Sequence, residues 1–172
     1  HSNVQGDRSV GIMHHVSQAL NARIKQHLGF APPENEGYDT VGAIKAMHGG
    51  KAKVFFCLGG NFVMAASDTA YTARAVQQCK LTVQVSTKLN RSHLVTGKTA
   101  LILPTYGRSE KDMKNGRLQF MTMESSTGKV RRSKGLLHPI SSHIKSEPEI
   151  IGMLANTYFQ GGHSMPWERL AH

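Results

Sequence analysis

The stretch Lys53-Val54-Phe55-Phe56-Cys57-Leu58-Gly59-Gly60-Asn61-Phe62 constrains this chain more than any other. It is an uncharged apolar run that begins after a lysine and ends on two glycines. Such a run reads as a central parallel β-strand with both faces covered, entering a tight turn at its C-terminal end. The paired glycines remove side chains where a ligand must approach backbone, and the Asn61 amide offers both a donor and an acceptor there. In open α/β sheets ligands lie outside the carboxyl ends of the strands, so Gly59-Gly60-Asn61 is the first candidate site. The plainer alternative is a strand-to-loop corner that needs glycine only for its dihedrals.

The neighbouring segments supply the grammar of such a sheet. Asp39 or Thr40 can cap a short helix with Val41, Ile44 and Met47 inward, ended by Gly49-Gly50, and the strand follows at once. Ser67 or Asp68 can cap a further helix carrying Ala70, Ala73, Val76 and Cys79. The β-branched run Leu81-Thr82-Val83-Gln84-Val85 and the segment Ala100-Leu101-Ile102-Leu103, stopped by Pro104, read as two more strands. Strand, helix, strand, connection, strand predicts an α/β fold, a Rossmann-like parallel sheet flanked by helices.

Outside this block the signals are weaker. Residues 1–11 lack either period and read as a loop. From Ile12 an apolar residue recurs every fourth position through Val16, Leu20, Ile24 and Leu28, which predicts a helix closed by Gly29. Past Pro104 the grammar breaks. Residues 106–117 read as a polar surface excursion, and 118–124 with 129–133 as a hairpin around Ser-Ser-Thr-Gly. Pro148 opens a last amphipathic helix with Ile150, Ile151, Leu154 and Tyr158. The organisation expected is therefore one domain over residues 1–160 with an irregular, hairpin-bearing C-terminal extension, followed by a tail over 161–172.

The charge narrows the function. Twenty-one Lys and Arg against eleven Asp and Glu give a net charge of +10, which favours a polyanion such as a phosphate-rich cofactor or nucleic acid. The aromatic residues are 6% of the chain and do not interleave with the basic ones as in single-strand stacking surfaces, which counts against nucleic acid. No apolar stretch is long enough to span a bilayer. Cys57 and Cys79 form no metal or redox spacing and fit reduced thiols in a cytoplasmic protein. There is no nucleophile elbow, paired-carboxylate arrangement or zinc spacing, and no G-x-G-x-x-G fingerprint, so binding is indicated more strongly than catalysis.

The second candidate is the loop Ser86-Thr87-Lys88-Leu89-Asn90-Arg91-Ser92-His93, again directly after a strand. Hydroxyls and an amide can read the edge of a heterocycle, while Lys88 and Arg91 suit phosphate. Adjacent parallel strands would set it beside Gly59-Gly60-Asn61, forming a crevice suited to a nucleotide.

Three segments taken together, His-Ser-Asn-Val-Gln-Gly at 1–6, LGGNF at 58–62 and VQVSTKLNRSHLVTGKTALILP at 83–104, resemble the molybdopterin-dependent oxidoreductases, and within them the formate-dehydrogenase-like alpha subunits. The resemblance implies a fragment of a longer enzyme, inactive alone, whose loops hold one arm of a bis-molybdopterin guanine dinucleotide. It implies cofactor contacts from Asn3, Gln5 and Gly6 near the pterin or phosphates, and from Gly59, Gly60 and Asn61 along the diphosphate and pterin arm. Ser86, Thr87, Lys88 and Asn90 would address the guanosine end, with Arg91 beside a phosphate. The partners implied are the remaining domains of the parent oxidoreductase and its small-molecule substrate. The molybdenum ligand and any iron–sulfur cluster would lie outside this segment. Many relatives carry an acidic residue after the second strand to meet guanine, where this chain has Val85-Ser86-Thr87. Two alternatives from other classes are a basic nucleotide- or nucleic-acid-binding module without catalysis, and a structural domain whose glycines serve turns only. A sheet edge left open in a fragment would favour self-association.

Overall fold

The computed structural model describes residues 4–9, 11, 13, 15–31 and 33–159. Its helices are α1 (Val4–Ser9), α2 (Gln18–Leu28), α3 (Thr40–His48), α4 (Phe62–Ala65), α5 (Thr69–Gln77) and α6 (Glu147–Phe159). Its strands are β1 (Val54–Leu58), β2 (Leu81–Ser86), β3 (Thr99–Pro104), β4 (Met113–Lys114), β5 (Arg117–Leu118), β6 (Met121–Glu124) and β7 (Val130–Ser133), and a single 3-10 turn spans Arg91–Leu94. The chain divides into two compact units, one over Gly37–Thr105 and one formed by the described parts of His1–Glu36 and Tyr106–His172.

The Gly37–Thr105 unit is the α/β fold that the strand and helix periods predict. Its three-stranded sheet has the order β1-β2-β3, with both pairings parallel. Val54 lies opposite Leu81 and Leu58 opposite Val85, while Leu81 faces Thr99 and Ser86 faces Pro104. Asp39 caps α3 by accepting from Gly42 N at 2.6 Å, which settles the choice between Asp39 and Thr40. The inward stripe of α3 (Ile44, Met47) meets that of α5 (Ala75, Val76) together with Val63 and Cys79 in one buried cluster. Phe55 of β1 packs on this cluster, its ring 4.9 Å from that of Phe62. The two helices therefore cover the same face of the sheet.

The opposite face corrects one expectation. β1 is an edge strand rather than a central one, and its alternate residues Val54, Phe56 and Leu58 are exposed. An apolar run announces burial on both faces, but only one covering layer comes from Gly37–Thr105.

In the other unit α1 occupies part of what reads as a loop. Gly6 is a poor helix former, yet it is buried there, and a β-carbon at that position would stand 2.5 Å from the carbonyl oxygen of Ser125. Close tertiary packing outweighs the local propensity. Helix α2 begins at Gln18, capped by the Ser17 side chain, so the described positions Met13 and Val16 lie ahead of it. Ile12 and His14 fall outside the described residues. The segment read as a polar excursion contains the β4–β5 hairpin, turned by Asn115 and Gly116 at φ of 51° and 75°. That Asn-Gly pair is the dipeptide a primed hairpin turn requires. The β6–β7 hairpin and α6 form where their patterns place them. Among the described residues no helix is long and apolar enough to cross a membrane.

Asp68 begins α5 in the left-handed region, at φ 48°, while its carboxylate accepts from Tyr71 N at 2.9 Å. Cap and backbone strain therefore act on one residue with opposite sign. Asp68→Ala loses the cap and keeps the strain, so urea denaturation should show a loss of about 2 kcal/mol. Asp68→Gly relieves the strain and should cost well under half of that. Equal losses in the two variants would mean that the dihedral is not held in solution.

Candidate functional site

The ladder between β1 and β2 runs one residue past the strand, with Gly59 N donating to Val85 O at 2.8 Å. Gly59 and Gly60 then take φ of 71° and 80°, two consecutive left-handed residues that turn the chain sharply off the sheet. The Cys57 thiol supports the corner, donating to Gly59 O at 3.0 Å. Burial pushes the Cys57 and Cys79 thiols up from their ordinary range, so both stay protonated at neutral pH and neither is a thiolate nucleophile. A β-carbon on Gly60 would meet no atom within 4 Å, so the space beside this turn is open. The backbone N–H groups of Gly60 and Asn61 make no hydrogen bond among the described residues. Successive unbonded N–H groups at a sheet's carboxyl end are donors for an anion.

The loop after β2 lies against this turn. Asn90 Nδ2 donates to Gly60 O at 3.0 Å, and Ser92 Oγ donates to Asn61 Oδ1 at 2.5 Å. The same Ser92 hydroxyl accepts from Val63 N, the first turn of α4, at 3.0 Å. Gln84, buried in the middle of β2, donates through Nε2 to Ser92 O at 3.2 Å. Asn90 Oδ1 accepts from Ser92 N at 2.9 Å, capping the 3-10 turn. Ser92 is thus buried with every polar group engaged, and it ties the end of β2 to the turn after β1.

His93 completes the cap from the other side, its Nδ1 accepting from Asn90 N at 3.0 Å. The same Nδ1 stands 3.1 Å from Asn90 O, and Nε2 is buried with no partner among the described residues. Ser86 Oγ donates to Lys88 O at 2.8 Å and shapes the first bend of the loop. Thr87 and Lys88 are exposed, as is Arg91.

The structure therefore brings together Gly59, Gly60, Asn61, Ser86, Thr87, Lys88, Asn90 and Arg91 at the carboxyl ends of β1 and β2. Asn61 and Asn90 use their amides to hold the two loops to each other. Gln5 and Gly6 lie on α1 in the other unit, and Asn3 lies outside the described residues. Sequence reasoning placed Ser92 and His93 in the candidate loop without giving them a role, and missed Gln84 altogether. The available signal was the spacing of Asn90 and His93, an N-cap followed three residues later by a side chain that bonds back. Among the described residues no group of three His, Cys, Asp or Glu side chains is placed to hold a metal ion.

Ser92→Ala leaves Val63 N and Asn61 Oδ1 without their partner in a buried setting, and should destabilise the fold by about 2 kcal/mol. Hydrogen exchange at the Val63 amide should accelerate selectively, with the Gln84 amide of the sheet little changed; uniform acceleration would show a general loss of packing instead. The raised Cys57 pKa makes a second prediction. Alkylation of Cys57 at about pH 8 should run more slowly than that of an exposed thiol, and should quicken only as the pH climbs past the free-cysteine range.

No family model matches the chain. It is 52% identical over 171 residues to an uncharacterized oxidoreductase of Mycobacterium tuberculosis, covering 99% of this chain and 22% of the relative. It is equally similar, at 52%, to an uncharacterized oxidoreductase of Mycobacterium bovis. It is 41% identical over 155 residues to Protein YdeP of Escherichia coli, covering 90% of this chain and 20% of that protein. The chain thus spans about a fifth of the length of the curated relatives it matches.

Proposed function

We propose that this chain is the guanosine-binding segment of a molybdopterin-dependent, formate-dehydrogenase-like oxidoreductase of the cytoplasm. Relatives named as oxidoreductases support a redox enzyme, and their greater length supports a parent with further domains. The observation that carries the nucleotide reading is the Gly59-Gly60-Asn61 turn itself. It offers open space, two left-handed glycines and unbonded N–H groups, and the Ser86–Arg91 loop is held beside it.

The residues present fit a guanosine diphosphate moiety. Gly60 N and Asn61 N would donate to the diphosphate, with Lys88 and Arg91 supplying positive charge. Ser86, Thr87 and the free capacity of the Asn90 amide would face guanine, and loop carbonyls would take its N1 and N2 donors in place of an acidic residue. When bound, the cofactor supplies two-electron redox chemistry at molybdenum, whose ligand comes from elsewhere in the parent enzyme, as does any iron–sulfur cluster. This chain's own residues bind and orient the nucleotide arm; they move no proton and attack no substrate. The small-molecule substrate is left to the other domains.

Calorimetric titration with GDP, with ADP as control, tests the reading at two salt concentrations. GDP binding at least tenfold tighter than ADP, and retained at about 150 mM salt, is expected. Equal, steeply salt-dependent affinities would replace the reading with a basic nucleotide- or nucleic-acid-binding surface. Gly60→Asn sharpens the test, because asparagine tolerates the left-handed backbone while its side chain fills the open space. The variant should keep its thermal transition within a few degrees of the parent's and lose GDP binding.

A further inference from the structure

We infer that β1 is an interior strand of a larger sheet, and that its free edge takes a further parallel strand from the same, longer polypeptide. A covering layer from that polypeptide then lies over Val54, Phe56 and Leu58.

The edge itself gives the first argument. Gly59 N bonds to Val85 O and Leu81 N to Lys53 O, so the odd-numbered residues of β1 face β2. The backbone groups of Val54, Phe56 and Leu58 therefore point to the free side. Natural edge strands are blunted by charge, proline or a bulge. β3 is guarded in this way, since it ends in Pro104. β1 reads Val-Phe-Phe-Cys-Leu and has no such guard.

Side-chain exposure is the second argument. On the face away from α3 and α5, Val54, Phe56 and Leu58 are 58%, 37% and 47% exposed, whereas their β2 neighbours Val83 and Val85 are 6% and 1% exposed. Exposed apolar surface is thus carried by both outer strands, since Leu101 of β3, in register with Val83, is 49% exposed, and of the two edges only that of β1 lacks a proline. Parallel sheets are normally covered on both faces.

Topology supplies the third argument and the direction. Helices α3 and α5 pack together on one face, and α5 is the crossover from β1 to β2. Crossovers between parallel strands are right-handed, so helices on one face step the chain in one lateral direction. Here α3 follows α1 and α2 and no strand among the described residues, so a strand reaching β1 through α3 would come from farther upstream and would lie on the side of β1 away from β2. The occupant's source follows from length: the chain covers 22% of the mycobacterial relative, which leaves ample polypeptide to provide it. With a neighbour on each side, the Gly59-Gly60-Asn61 turn would stand at the middle of the sheet's carboxyl edge. The inference does not depend on the identity of any cofactor.

The test is residue-resolved hydrogen exchange on the full-length protein without added nucleotide. The Phe56 and Leu58 amides should be protected at least a hundredfold relative to the exposed Thr87 amide. Exchange of Phe56 and Leu58 within a few-fold of Thr87 overturns the inference. So does protection that vanishes on dilution as a dimer dissociates, which would make a second copy the occupant. A Phe56→Cys variant gives an independent reading. Its thiol should react with maleimide at least a hundredfold more slowly than that of Leu94→Cys in the intact protein, and comparable rates overturn the inference. Failure of GDP titration alongside protected amides would count against the nucleotide reading and leave this one standing.

Discussion

One hydroxyl holds the candidate site together. Ser92 reaches from the loop after β2 to the turn after β1, donating to Asn61 and accepting from Val63, while its backbone is held by Asn90 and Gln84. The turn after β1 runs into the core residues Phe62 and Val63, and the loop after β2 ends at Val95, which packs on the same cluster; between these anchors the two loops meet through hydrogen bonds. Their relative position depends on hydrogen bonds that are strong because the group is buried and every partner is present. Such rigidity suits a binding site, because ordering flexible loops on binding subtracts from affinity.

The same network changes the meaning of residues that sequence reasoning singled out. Asn61 and Asn90 are polar, follow strands and lie where ligands sit, so they read naturally as ligand contacts. In the structure each spends its amide on the neighbouring loop, which makes them supports for the backbone they sit on. The groups left for a ligand are the N–H donors of Gly60 and Asn61, the exposed side chains of Thr87, Lys88 and Arg91, and whatever capacity the Ser86 hydroxyl and Asn90 amide keep beyond their bonds to Lys88 O, Gly60 O and Ser92 N. Backbone donors carry no sequence signature except the glycines that present them.

Much of the Gly37–Thr105 unit was legible because its signals agree. The Asp39 cap, the α3 stripe, the β-branched β2 and the glycine corner all point to one arrangement, and such agreement across levels is what specifies a fold. Legibility fails where a decision belongs to distant parts of the chain. Gly6 enters a helix because it packs against Ser125, more than a hundred residues away, and no local window contains that fact. The apolar pattern of β1 predicts a central strand with two covered faces, whereas β1 is an edge strand with Val54, Phe56 and Leu58 exposed, because a local pattern does not say which segment, if any, supplies the second layer. The β4–β5 hairpin is a different failure: Asn115-Gly116 was an adequate local signal, obscured by the charged residues around it.

The glycines show how a structure separates reasons that a sequence merges. Gly97 is required by packing, since a β-carbon there would lie 2.4 Å from the carbonyl oxygen of Cys79. Gly135 is under the same constraint against Glu110, where the clash would be with backbone. Neither needs a ligand to explain it. Gly60 is different, because its β-carbon would meet nothing within 4 Å and only its φ of 80° disfavours a side chain. An asparagine would satisfy that backbone at modest cost. A glycine whose only internal reason is its dihedral, beside unbonded N–H groups and at the carboxyl end of a parallel sheet, leaves room for something to approach from outside the chain. This physical argument leads to the same turn that the family resemblance selects, and it uses none of the residues' likeness to other proteins to get there.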